Sequence, residues 1–63
     1  LSGRYHFEIF AADGSAVTSV AGDAGDDLDA VSCAYDILEV WPIVEVWHER
    51  GLVLRLSTPA VSR

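Results

Sequence analysis

A chain of 63 residues has room for one domain, and at this size it buries only about 60% of the surface it exposes when unfolded. A hydrophobic content of 51%, with two Trp, two Tyr and two Phe, excludes a disordered acidic chain and points to a real core. Four Arg, no Lys and ten acids give a formal net charge of -6, which sets the long-range field against phosphate backbones and anionic lipid, so neither nucleic acid nor membrane is an expected partner.

From Tyr5 to Phe10 aromatic and branched residues dominate, with Tyr5, Phe7 and Ile9 on one side and His6, Glu8 and Phe10 on the other, which predicts a strand. Asp13-Gly14-Ser15 is a turn signal, and a second strand follows over Ala16 to Ala21. Its register is open, because Val17 and Val20 differ in parity. After Gly22 and Gly25, a helix begins with Asp26 as N-cap, and the carboxylates of the first turn complement the partial positive charge of the helix N-terminus. Leu28, Val31, Tyr35 and Leu38, flanked by Ala34, Ile37 and Trp41, form the expected buried stripe, and Pro42 ends the element at Trp41.

Ile43 to His48 alternates again, with Val44, Val46 and His48 on one face and Ile43, Glu45 and Trp47 on the other. Glu49-Arg50-Gly51 forms a turn into a fourth strand, where Leu52, Leu54 and Leu56 are expected in the core and Val53, Arg55 and Ser57 outside it. Pro59 closes the strand, and residues 1–3 and 59–63 of the single domain 1–63 are expected to be flexible ends. The fold class is therefore α+β: a ββαββ chain with a four-stranded, antiparallel-rich sheet and one helix packed on one face. One helix covers one face only. By parity the uncovered face carries Phe10, Trp47, Val53, Arg55, Glu45 and Glu8, with His6, and aromatics beside charges there make these residues the candidate interface.

The remaining constellations give no catalytic or cofactor-binding assignment. Asp23, Asp26, Asp27 and Asp29 suit a helix start better than a cation loop, since no Glu stands at the twelfth position from Asp23. His6 and His48, with Glu8 or Glu49, make a legitimate metal-ligand set only if strand order brings them together, and isolated histidines are the better reading. Cys33 reads as a mid-helix packing residue, and a Cys33, His48, Asp36 triad has only residue types in its favour. No glycine-rich phosphate loop is present, because acids follow Gly22 and Gly25. A single cysteine allows no intrachain disulfide and fits a reducing cytoplasm, and no apolar run approaches the roughly 20 residues of a membrane helix.

Arg4-Tyr5-His6-Phe7-Glu8-Ile9, the Asp-Gly turn, the acid-led helix and Val44-Glu45-Val46-Trp47 with Leu52-Val53 resemble small uncharacterised bacterial proteins grouped as domains of unknown function. That resemblance implies the same strand-strand-helix-strand-strand fold and assigns no catalytic residue. A mean hydropathy of +0.27 is high for so charged a small domain, which favours a non-enzymatic, self-associating interaction module forming a homodimer or small oligomer. Two alternatives stand beside it. One is an acidic mimic that uses the seven acids from Asp13 to Glu39, a stretch without a base, to occupy the basic site of a nucleic-acid-binding protein. The other is a minimal metal-dependent enzyme built on His6 and His48.

Overall fold

The computed structural model describes residues 3–58. Its elements run β1 (Gly3–Phe10), β2 (Ala16–Ala24), α1 (Asp27–Leu38), β3 (Ile43–His48) and β4 (Gly51–Ser57). The strands form one antiparallel sheet in the order β2-β1-β3-β4, so β1 and β3 are central and the helix connects across to one face. This is the expected ββαββ, α+β arrangement. Of the ends expected to be flexible, residues 1–2 and 59–63 lie outside the described residues, and Gly3 opens β1.

Each local element has an identifiable cause. Gly14 takes φ +90 at the β1–β2 turn, where Asp13 Oδ1 accepts from the Ser15 amide at 2.9 Å and from its hydroxyl at 2.7 Å. These two bonds hold the Asp13 carboxyl below its ordinary value of 3.8. β2 runs three residues past its expected end because Gly22, Asp23 and Ala24 pair with Tyr5, Arg4 and Gly3. Asp26 caps the helix as expected, its Oδ1 accepting from the Asp29 amide at 2.9 Å. The helix stops at Leu38, before Trp41, and the amides of Val40 and Trp41 close onto the Ile37 carbonyl. β3 and β4 are joined through Glu49 and Arg50 alone, with Glu49 in the left-handed region at φ 57, a conformation that favours glycine.

The core lies between helix and sheet. Phe7 faces Val46 and Ile9 faces Val44 across β1 and β3, and Tyr5, Phe7, Ala24, Ala30, Ala34, Val44 and Val46 form the buried cluster. The alternation read from β1 and β3 therefore places the right residues inside.

Two expectations are corrected. The helix buries Ala30 and Ala34, with Ile37 and Leu38 packed against the core, whereas Leu28 is 76% and Tyr35 56% exposed, and Trp41 is also exposed. In β4 a bulge opposite Val46 and Trp47 leaves Val53 as the additional residue, since Val46 pairs with Leu54 and Trp47 with Leu52. The bulge turns Val53 onto the core and sends Leu52 to the uncovered face, the reverse of the expected parity. Leu54 keeps its face but is 39% exposed, because β4 is an edge strand.

These burials set the order of mutational costs. Phe7→Ala is expected to cost about 3 to 5 kcal/mol, and Leu54→Ala only about 1 kcal/mol because its side chain is already partly in water. Urea denaturation of both variants checks the ranking, and an equal or larger loss at Leu54 would contradict the placement of the core.

Candidate interaction surface

The face of the sheet opposite the helix is organised in rows across the strands. In the middle row Ser19, Glu8, Glu45 and Arg55 are register partners from β2 through β4, and in the next row stand Ala21, His6, Trp47 and Leu52. Phe10 and Ile43 pair in the row on the other side. Five of the six candidate interface residues, Phe10, Glu8, Glu45, Trp47 and Arg55, thus share this face, and Val53 does not. Leu52 takes the place expected for Val53. No glycine or proline stands between Leu52 and Leu56 to announce the bulge.

Glu8 and Glu45 are directly opposed, a like-charge pair that is unfavourable in isolation. Each is met by a further group, Glu8 by a residue of its own strand and Glu45 by its neighbour on β4. His6 Nε2 lies 3.4 Å from Glu8 Oε2, and Arg55 Nε lies 3.6 Å from Glu45 Oε2. Glu45 Oε1 also accepts from Trp47 Nε1 at 3.1 Å, and the Trp47 indole lies parallel to the His6 ring, with centroids 6.0 Å apart and planes at 7°. Charge and ring geometry therefore hold Trp47 in one orientation, half-buried, without a lid of chain above it. Pairs as exposed as these contribute roughly 0 to 1 kcal/mol each, so their effect is more on orientation than on stability.

The two histidines do not meet. His6 pairs with Trp47 on the uncovered face, and His48 pairs with Tyr5 on the helix side, so the sheet separates them. Among the described residues no group of three or more His, Cys, Asp or Glu is placed to hold a metal ion. Cys33 is exposed on the helix, not packed as expected. Among the described residues no helix is long and apolar enough to cross a membrane.

On the helix side, His48 has a structural neighbour. Its ring stacks on Tyr5 at 4.3 Å and 17°, and a Cβ on Gly3 would come within 2.8 Å of His48 Nε2, so the chain passes this ring too closely for a side chain without a shift. The Tyr5 hydroxyl donates to Asp27 Oδ1 at 2.6 Å and joins the sheet to the first turn of the helix. That hydrogen bond, then burial, then the charges of Asp27, Asp26 and Asp29 raise the phenol from 10.0 to about 12.

No family model, curated protein or solved structure matches the chain. The strand-strand-helix-strand-strand pattern implied by the sequence resemblance is nonetheless the one observed.

The raised phenol has a measurable consequence. Because the folded value exceeds the unfolded one, the Tyr5 contribution to stability is complete below pH 10 and is lost as pH rises towards about 12. Ultraviolet titration is expected to show a phenolate appearing near pH 12 that is absent from Tyr5→Phe, and a normal midpoint near 10 for Tyr5 would contradict the contact with Asp27.

Proposed function

We propose that the protein is a small non-catalytic interaction module that associates with a second copy of itself through the uncovered sheet face. The observation that carries this reading is the fixed Trp47 side chain, stacked under His6 and hydrogen-bonded to Glu45, in the same face as Phe10 and Leu52. An oriented aromatic ringed by polar groups is the usual anchor of a protein contact, because the anchor loses little rotamer freedom on binding. The charges around it provide register: in a two-fold arrangement the carboxylates of Glu8 and Glu45 would face Arg55 and His6 of the other copy.

Size supports the same reading. A single helix of 12 residues can cover at most one face of four strands, and apolar area left in water costs about 25 cal/mol per Å². The net charge of -6 opposes association, but repulsion is screened beyond roughly 8 Å at physiological salt. We place the module in the cytoplasm, a compartment that suits a single exposed thiol without a disulfide partner in the chain.

Light scattering at micromolar concentration is expected to give the mass of two chains for the wild type, weakening at low salt, and of one chain for a Trp47→Ala, Phe10→Ser double variant. A wild-type mass of one chain, or a folded double variant that remains dimeric, would remove this face as the interface.

A further inference from the structure

The helix carries more apolar surface than the sheet takes up. With about 100° of rotation per residue, Ala30, Ala34 and Ile37 point to the sheet, Leu38 and then half-buried Val31 follow round the helix, and Tyr35 and Leu28 continue into solvent. Leu28, Val31 and Tyr35 thus form a ledge beside the core stripe. Together with Asp29 and Ser32 they line a shallow depression on the outer side of the helix. Beyond the ledge, within about a quarter turn of Leu28, the same helical geometry places Asp29, Asp36 and, just past the helix end, Glu39.

Asp26 is occupied by the helix cap and Asp27 by Tyr5, whereas among the described residues no cation or side-chain donor reaches Asp29, Asp36 or Glu39. The last turn of the helix also holds no base to match the partial negative charge of its carbonyl end. An apolar ledge is therefore bordered along its length by negative charge that no described side chain meets.

We infer that this helix face is a docking site for a basic amphipathic helix of a different protein. Its apolar residues, spaced three and four apart, would lie on Leu28, Val31 and Tyr35, a span of about 10 Å, while its Lys or Arg residues reach Asp29, Asp36 and Glu39. Charge decides the occupant. The same face of a second copy would set carboxylate against carboxylate, and a purely apolar segment would leave the acid ridge unmatched. Nucleic-acid mimicry needs no ledge, so dependence on Leu28 and Tyr35 separates helix docking from general attraction of basic partners.

The site is independent of the sheet face, which lies on the other side of the sheet, and its test is independent of self-association. The probe is a labelled amphipathic Leu/Lys peptide of about 18 residues, compared by fluorescence anisotropy with a scrambled peptide of the same composition. The amphipathic peptide is expected to bind at roughly 0.15 M salt at least about tenfold more tightly than the scrambled one. Leu28→Ser with Tyr35→Ser, both exposed and checked for folding by circular dichroism, is expected to lose about tenfold in affinity. Asp29→Asn with Asp36→Asn is expected to weaken binding and flatten its salt dependence. The Trp47→Ala, Phe10→Ser variant is expected to bind like wild type whatever its mass. Equal binding of the scrambled peptide, no binding, or unchanged affinity in the folded Leu28, Tyr35 variant would overturn the assignment, and the comparison with the scrambled peptide of equal charge decides it should that variant not fold.

Discussion

The hydrogen bond from Tyr5 to Asp27 joins the centre of the sheet to the start of the helix, and it can form only with the helix turned as it is. Asp27 must face the sheet to accept this proton. At 3.6 residues per turn the residues that share its side are Ala30, Ala34 and Leu38, and the first two are completely buried. Alanines at this spacing let the helix axis approach closely, which is how a 12-residue helix closes over Val44 and Val46, the largest completely buried side chains among the described residues. The same rotation carries Leu28 and Tyr35 outward. A buried phenol, a pair of small residues and an exposed apolar ledge are therefore one event seen from three sides.

The sheet shows a comparable division of labour. Its helix side is apolar and buried along the central strands, with Val20 and Leu54 of the edge strands exposed, while its other side is a lattice of opposed carboxylates, imidazole, guanidinium and indole that satisfies itself laterally. Lateral satisfaction keeps the surface ordered in the free chain, so little ordering entropy remains to be lost when a second surface arrives. The two proposed contacts use different physics for this reason. The sheet face offers a fixed aromatic inside a charge pattern with both signs, which suits a copy of itself, and the helix face offers a single sign of charge, which does not.

The central strands were legible because alternation in Tyr5 to Phe10 and Ile43 to His48 is uninterrupted, and their mutual register has no bulge to disturb it. Four interface candidates, Glu8, Phe10, Glu45 and Trp47, have their faces from that parity, and Arg55 keeps its face because it pairs with Glu45 on the undisturbed side of the β4 bulge. Val53 does not, because one inserted residue opposite Val46 and Trp47 reverses the faces of Leu52 and Val53 and leaves no mark in the residue types. The helix cap was legible from Asp26, but the helix face was not. Weighting by size favours Leu28 and Tyr35 over Ala30 and Ala34, and the partner that turns the helix, Tyr5, stands 22 residues away from Asp27 in the chain. Whether His6 and His48 met required the strand order, since adjacent strands place them together or on opposite faces according to register alone.

Thiol accessibility along the helix tests the rotation of α1 on the sheet most directly. In a Cys33→Ser background, Leu28→Cys is expected to react with a thiol reagent about as fast as a free cysteine, and Ala34→Cys to be protected until the domain opens. Protection at Leu28 with rapid reaction at Ala34, in folded variants, would mean that the helix is turned the other way and would contradict both the Tyr5–Asp27 constraint and the outward ledge.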